Sequence, residues 1–346
     1  MGIAAMSASA SLLILAVAGV RAIGRNTLPK LTFVILWTLV LVRLLVPYSL
    51  PFQYSLFSLM GWPGPAAING AGAGIIAGIG SETALPDGIH RLITGIWLCG
   101  VIAGAFYFCG THWRWRQKYK VSLPVHQEYI QHWLASHKTL RSLTIRQSDQ
   151  IPGPLTYGLW KPVILLPSGT DWSDTAQLRY VLAHEYTHVR RFDTLLKYLL
   201  AAACCLHWFN PLVWYMYGRL NRDIELSCDE TVVNTFGTAH KPHYARALLH
   251  MAEKRVSGSP LSNSFTAKAM EERILSIMRH KPNTAANKQL ALLVITGISL
   301  ILATVSVCGP DERSIETKTT IDVFISPSEG DTASTYIYLS GTSTEE

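Results

Sequence analysis

The sequence predicts a mostly α-helical protein with four membrane spans and one polar α+β domain between the third and fourth spans. Hydrophobic residues make up 49% of the 346 residues and charged residues only 15%, whereas soluble domains carry about 25% charged residues. The apolar residues are clustered in four stretches, each about as long as a helix that crosses a bilayer. The remaining polar segment alternates between helical and strand patterns. This composition excludes an ordinary soluble enzyme, a disordered chain and a repeat protein.

The first element in chain order is an apolar run, and three more spans follow it. The predicted spans are residues 3–20, 31–50, 92–109 and 288–308. We interpret the first run as a retained span and not as a signal peptide, because its basic residues follow it and none precedes it. The Gly- and Ala-rich connector 51–90 is predicted to be an outer loop.

The distribution of charge predicts the orientation of these spans. The net charge is +7, and basic residues concentrate in the connector 21–30 and in the stretch 112–120, while the tail 309–346 holds eight acidic residues. Cytoplasmic connectors of membrane proteins are enriched in Lys and Arg. We therefore expect a multi-pass cell-membrane protein with its N-terminus and its short acidic tail outside and region 110–287 in the cytoplasm. Topology accounts for the positive charge, so direct nucleic-acid binding is not expected.

The polar region begins with an amphipathic helical pattern over 121–141, continues with strand patterns over 142–167, and becomes helical again after Asp171. This last helix contains the pentapeptide His184-Glu185-Tyr186-Thr187-His188. Two histidines four residues apart project from one face of a helix, so both imidazoles can bind a single Zn²⁺. Glu185 points about 100° away from His184 and can contact a zinc-bound water as a catalytic base.

A third ligand is needed to complete the site. Arg191 and Thr194 stand where the extended three-histidine form of the motif requires Gly and His, so that form is excluded. Glu225 and Asp229 are four residues apart on a second predicted helix. Glu225 would complete a His₂Glu site with one open position, which is typical of catalytic zinc, and Asp229 would hydrogen-bond a ligating histidine. Asp193 is a competing third ligand, although a hydrogen bond to a ligating histidine suits it better.

Other assignments stay open at this stage. Tyr244 and His243, together with His240, are candidate donors to the oxyanion. The segment 155–166 is a candidate edge strand for an extended substrate. The apolar segment 195–217 is broken by Asn210-Pro211, so it is either a hairpin that dips into the membrane or a buried helix pair at its surface. We favour the hairpin, and we expect His207 to pack beside the site.

These residues resemble the BlaR/MecR-type antirepressor metallopeptidases. The resemblance includes the pentapeptide with Asp193, covers roughly residues 1–308, and is most specific in the block LHWFNPLVWYMYGRLNRDIELSCDE at 206–230. It continues in PLTYGLWKPVILLPSG at 154–169 and EERILSIM at 271–278. The resemblance implies a cytoplasmic gluzincin-like zinc domain with one Zn²⁺ bound by His184, His188 and Glu225, and with Glu185 as base.

The resemblance also implies a role in transmembrane signalling. Members of this family process themselves and cleave a cytoplasmic transcriptional repressor, which derepresses antibiotic-resistance genes. The expected partners are this protein substrate and the lipid bilayer, and a homo-oligomer is a further prediction. Only 38 residues follow Cys308, without an S-x-x-K or K-T-G motif, so we expect a truncated chain or a shorter member without the penicillin-binding sensor domain. The alternatives are a membrane quality-control metalloprotease and a signal transducer with a structural zinc site.

Overall fold

The computed structural model describes residues 3–46, 87–137, 139–253 and 260–305. The predicted acidic tail 309–346 and most of the predicted outer loop 51–90 lie outside these ranges. The described part of the chain is mostly helical and contains one small sheet, as the sequence predicted.

The helices are α1 (Ile3–Gly24), α2 (Lys30–Leu45), α3 (Asp87–Lys120), α4 (Glu128–Ser136), α5 (Thr175–Arg191), α6 (Asp193–Leu206), α7 (Pro211–Phe236), α8 (Lys241–Glu253), α9 (Pro260–Arg279) and α10 (Ala285–Val305). A single 3₁₀ turn, Thr238–His240, joins α7 to α8. The strands are β1 (Leu123–Pro124), β2 (Thr144–Ser148), β3 (Leu155–Tyr157) and β4 (Val163–Pro167).

Two of the described helices are long and apolar enough to cross a bilayer. These are the stretches Met6–Gly24 of α1 and Arg91–Lys120 of α3. The helix α2 has 16 residues, and the apolar stretch Ala285–Leu300 of α10 is also shorter than a full span. The first and third predicted spans therefore have suitable helices, and the four-span topology stays a prediction.

The helix α3 extends beyond the predicted span at both ends. It begins at Asp87, inside the predicted outer loop, and continues to Lys120 through the basic stretch. Arg, Lys and Gln are good helix formers, so the change from apolar to basic residues does not end the helix. The pattern over 121–141 was wrongly interpreted as one helix, because this segment contains β1 and the shorter α4.

The segment 195–217 is a helical hairpin with the predicted break. Here α6 ends at Leu206 and α7 begins at Pro211. The side chain of Asn210 accepts a hydrogen bond from the backbone N–H of Leu212 at 2.9 Å, which caps α7, and Pro211 needs no partner at the first helical position. Asparagine and proline thus turn the chain at the hairpin tip.

The hairpin tip contacts the ends of α1 and α2 that are farthest from the 25–29 connector. The Asn210 amide donates to Ser7 Oγ at 2.7 Å, and His207 Nε2 lies 3.0 Å from the Leu44 carbonyl. Leu44 follows Lys30 by fourteen residues, which is roughly 21 Å along a helix. The hairpin therefore runs along most of α2, and His207 lies at the tip and not beside the site, contrary to expectation.

The sheet lies beside the pentapeptide helix α5. The strand order is β1-β2-β4-β3; β2 and β4 are parallel, and β1 and β3 pair antiparallel with β2 and β4 respectively. Strand β3 is therefore an edge strand. Ile164 and Leu166 of β4 and Leu178 and Leu182 of α5 belong to one buried cluster. The packing fixes α5 against the sheet and confirms the strand prediction for 142–167.

A second cluster joins α5 to α7, α8 and α9. It consists of Tyr180, Val232, Val233, Tyr244, Ala247, Leu248 and Ile277, all buried. These contacts bring the two helices with predicted zinc ligands together, although Glu225 follows His188 by more than thirty positions in the sequence.

Candidate metal centre

The helix α5 places both histidines of the pentapeptide on one buried face. Its N-terminus is capped by Asp174, whose carboxylate accepts from the backbone N–H of Gln177 at 2.9 Å. His184 and His188 are both buried, and their Nε2 atoms lie 3.2 Å apart. Both rings therefore point at the same position in space.

Helix α7 brings the carboxylate of Glu225 to this position. Glu225 Oε2 lies 3.4 Å from His184 Nε2, and Oε1 lies 3.7 Å from His188 Nε2. Ligands at about 2.0–2.1 Å from a tetrahedral zinc ion lie roughly 3.3 Å from one another. The three ligand atoms therefore have the spacing that one tetrahedral zinc ion requires, with Glu225 about one-third exposed on the open side.

The carboxylate of Glu185 lies against the edge strand β3. The hydroxyl of Thr156 donates a hydrogen bond to Glu185 Oε2 at 2.8 Å. Glu185 is buried but is not one of the three clustered ligands. Thr156 therefore fixes the orientation of Glu185 relative to the histidines. The strand pattern alone does not predict this contact.

Asp193 lies behind His188, on the side of the ring that faces away from the three ligand atoms. Its Oδ2 is 2.7 Å from His188 Nδ1, while His188 Nε2 faces His184. The short distance between the Asp193 carboxylate and the His188 ring depends on Phe192. This residue separates α5 from α6 and adopts a left-handed conformation with φ 58°. The chain turns there, so Asp193 can reach back to a residue of the preceding helix.

Replacing Asp193 with Asn should weaken zinc binding by about 10- to 100-fold, which is typical when a residue that hydrogen-bonds a ligating histidine is changed. The loss of the carboxylate makes His188 a poorer electron donor and leaves its ring less well oriented. Competition with a chromogenic chelator measures the affinity. Asp174→Asn is the matched control, because asparagine also caps a helix and Asp174 is distant from the ring. Equal affinities for the two variants would rule out this role for Asp193.

A buried group of polar side chains lies behind His184. Asp229 Oδ1 is 3.2 Å from His184 Nδ1, and it accepts a hydrogen bond from the Tyr244 hydroxyl at 2.6 Å. Arg273 of α9 donates to both oxygens of Asp229, from Nε at 2.8 Å and from Nη2 at 2.7 Å. Asp229 is thus held by three groups, and its predicted position behind a ligating histidine agrees with these distances.

The charges in this group shift the pKa values of its members. Burial alone would lower the pKa of His184, but its contacts with Asp229 and Glu225 outweigh burial and raise the pKa to about 9. Burial would raise the pKa of Glu225, yet His188, His184 and Arg273 hold it well below its usual range. Burial likewise opposes ionisation of Asp229, but Arg273 lowers the pKa of that carboxyl. Both carboxylates are therefore ionised at neutral pH, and His184 must lose its proton when it binds a metal ion.

Some candidate residues do not reach the three ligand atoms. The Tyr244 hydroxyl contacts Nδ1 of His184 at 3.0 Å, on the far side of the ring, so this geometry does not favour an oxyanion contact. His243 is exposed, and its described ring contact is with His240. Cys228 Sγ lies 3.4 Å from His188 Nδ1, beside Asp193. Asp193 and Cys228 are therefore not placed to close the site as a fourth ligand.

Arg273 is the main residue at this centre that sequence reasoning missed. Its Nη2 lies 3.4 Å from His184 Nε2, and its Nη1 lies 3.6 Å from Glu225 Oε2. Arg273 falls within the stretch EERILSIM at 271–278 that supported the resemblance, but nothing in that stretch indicates which side chain points at the zinc ligands.

Comparison with known families decides the classification. The sequence profile of the family described as BlaR1 peptidase M56 matches residues 1–277. The chain belongs to the BlaR1 peptidase M56 family. This membership, which the resemblance predicted, makes the chain a member of a metallopeptidase family, and the described His184–His188–Glu225 group is its candidate metal centre.

Three curated relatives of this family member are similar over part of its length. The regulatory protein BlaR1 of Bacillus licheniformis is 28% identical over 45% of the chain, and that of Staphylococcus aureus is 26% identical over 62%. The methicillin resistance mecR1 protein of Staphylococcus aureus (strain Mu50) is 23% identical over 47% of the chain. The matches cover 27%, 38% and 29% of the lengths of these relatives, respectively. The similarity thus concerns less than half of each relative.

Proposed function

We propose that this chain is an integral-membrane zinc metallopeptidase of transmembrane signalling, which processes itself and cleaves a cytoplasmic transcriptional repressor. The observation that carries the proposal is the convergence of His184, His188 and Glu225, with mutual ligand-atom distances of 3.2, 3.4 and 3.7 Å. Among the described residues, no fourth side chain joins this group, and catalytic zinc sites keep one position for water. This arrangement favours an enzyme over the alternative of a transducer with a closed, structural zinc site.

Glu185 acts as the base in this proposal. When bound, zinc would lower the pKa of a water molecule and polarise the scissile carbonyl. Glu185 takes a proton from the attacking water and then delivers it to the leaving amine. The hydrogen bond from Thr156 keeps the carboxylate in the position from which both transfers are made.

The substrate lies along β3 in this proposal. Strand β3 pairs with β4 on one side only among the described strands, and its residue Thr156 contacts the base. An extended peptide that pairs with the free edge by main-chain hydrogen bonds would present its backbone next to Glu185. The guanidinium of Arg273, which faces His184 and Glu225, is better placed than Tyr244 or His243 to stabilise the oxyanion.

The centre lies at the cytoplasmic membrane surface in this proposal. Asp223, two residues before Glu225, pairs with Arg21 near the end of α1 at 2.7 Å. The hairpin runs from there along α2 towards the other ends of α1 and α2, which supports a hairpin that dips into the bilayer. Polar backbone at this depth is tolerated because protein covers it. The proposed topology has four spans, formed by α1, α2, α3 and α10.

Identification of the cleaved proteins tests the signalling role. Cells that express the full chain should contain cleavage fragments of a DNA-binding repressor, and cells that express Glu185→Gln should retain the intact repressor bound in the membrane fraction. Quantitative N-terminal peptide profiling makes this comparison, with Glu128→Gln on the exposed surface of α4 as the matched control. Cleavage confined to misfolded membrane proteins would instead support the quality-control alternative and overturn the proposed role. The names of the relatives, regulatory protein and methicillin resistance protein, favour the signalling outcome.

A further inference from the structure

A cavity of about 750 Å³ lies apart from the metal centre, between α7, α9 and the ends of the helices proposed to span the membrane. We call it the basic cavity. Its walls come from the ends of α1 and α2 around residues 21–33, from α7, from α9 and from residues 279–287. On α7, Asp223 and Leu226 face the basic cavity, while Glu225 and Asp229 face the metal centre, about 100° round the helix. The two sites thus share α7 and α9 but use different faces of them.

The basic cavity carries an excess of positive charge. Eight Lys or Arg residues and four acidic residues line it. Three of the acids are already engaged inside the protein. Asp223 pairs with Arg21 at 2.7 Å, and Glu272 pairs with Arg222 at 3.1 Å. Glu230 accepts hydrogen bonds from the backbone N–H of Lys30 at 2.6 Å and from Asn283 at 2.8 Å.

Several of the cations have no such partner. In the part of the chain that the structure describes, no acidic side chain lies within ion-pair distance of Arg25, Arg279 or Lys281, and all three are exposed. Like charges that converge on one cavity repel each other, and a bound anion relieves this repulsion. The cavity is therefore suited to a multiply coordinated anion.

The position of the basic cavity identifies the class of anion. It opens where α1 ends at Gly24 and where α2 and α10 begin, at Lys30 and Ala285, which is the inner headgroup region in the proposed topology. Leu275 of α9, whose side chain is exposed, adds apolar surface to its lining. Basic pockets between membrane helices on the cytoplasmic side bind phosphate-bearing lipid headgroups. Cytoplasmic connectors of membrane proteins are enriched in Lys and Arg, which explains why basic residues are numerous here. It does not explain why basic residues from several helices and connectors converge on one cavity.

We propose that the basic cavity binds the phosphate group of an anionic phospholipid from the inner leaflet. Arg25, Arg279 and Lys281 contact the phosphate, and Leu275 contacts the adjoining glycerol and acyl carbons. A soluble phosphate would satisfy the same cations without the apolar contacts, so the experiment separates the two sources.

Native mass spectrometry of the purified full chain, titrated with phosphatidylglycerol or phosphatidylcholine in micelles, tests the proposal. The unmodified chain should retain phosphatidylglycerol selectively. The triple variant R25Q/R279Q/K281Q should bind it on the order of 100-fold more weakly, since each basic residue near a membrane surface contributes about fivefold. The matched control R114Q/R116Q/K120Q removes three exposed charges from the end of α3, outside the basic cavity, and should retain the lipid.

Equal retention by both triple variants, or equal loss from both, would overturn the proposal, because the cavity would then make no special contribution. Inorganic phosphate is added in a parallel titration. Saturable phosphate binding that only the cavity variant loses, without any preference for phosphatidylglycerol, would reject the lipid and assign the cavity to a soluble phosphate. Circular dichroism and zinc content of each variant establish that it is folded.

Discussion

Replacing Glu185 with Gln is expected to lower the rate of peptide-bond hydrolysis by on the order of 10³- to 10⁴-fold while zinc stays bound. Glutamine keeps the shape of the side chain and can still accept the hydrogen bond from Thr156, but it cannot accept a proton from water. General acid–base catalysis contributes up to about 10⁴-fold. The ligands His184, His188 and Glu225 are unchanged, so the metal should remain.

Self-cleavage of the purified full chain, followed by gel densitometry over time, measures this rate, and inductively coupled plasma mass spectrometry measures the zinc content. The control Glu128→Gln removes a carboxylate from exposed α4 and should cleave at the parental rate. If Glu185→Gln with full zinc content cleaved as fast as the parent, Glu185 would not be the base. Loss of zinc from this variant would indicate that Glu185 is a ligand.

Replacing Glu225 with Gln is expected to abolish both zinc binding and hydrolysis. Glu225 supplies the third ligand atom, at 3.4 Å from His184 Nε2 and 3.7 Å from His188 Nε2. Its negative charge also offsets the cations Arg273 and Lys197, which lie 3.6 and 3.7 Å from its oxygens. A neutral amide would leave zinc with two imidazoles beside two cations. We expect the affinity to fall by more than the roughly 100-fold typical of residues that contact a ligand indirectly.

Competition with a chelator measures the zinc affinity, and circular dichroism separates the loss of a ligand from a general loss of structure. Glu230→Gln is the matched control, because Glu230 lies on the same helix and contacts Lys30 and Asn283 without contacting either histidine. This control should bind zinc normally. Tight zinc binding by Glu225→Gln would show that Glu225 is not the third ligand.

Much of the candidate site could be predicted because it depends on local helical geometry. The spacing of His184 and His188 places two imidazoles on one face whatever the surrounding fold, and the structure has them 3.2 Å apart. The spacing of Glu225 and Asp229 likewise predicted one shared face. The break at Asn210-Pro211 followed from the missing N–H of proline. In each case the information lies within one helix or at its end.

The remaining features depend on contacts between distant segments. Arg273 reaches Asp229 from a helix that begins more than thirty residues later, and an arginine in a helical pattern is as compatible with a solvated face as with this contact. Thr156 reaches Glu185 only because β3 is the edge strand beside α5. The length of α3 was underestimated because composition defines the apolar span, whereas helix propensity defines the end of the helix.

Two adjacent residues of α9 contact different sites, one in the basic cavity and the other at the metal centre. Glu272 pairs with Arg222 in the wall of the basic cavity, and Arg273 holds Asp229 behind His184. A helix is stiff over one turn, so a small rotation or axial shift of α9 would move both side chains at once. A displacement of the segment between α9 and α10 would therefore move Arg273 relative to Asp229 and Glu225. It would change the surroundings of the zinc ligands without any rearrangement of α5.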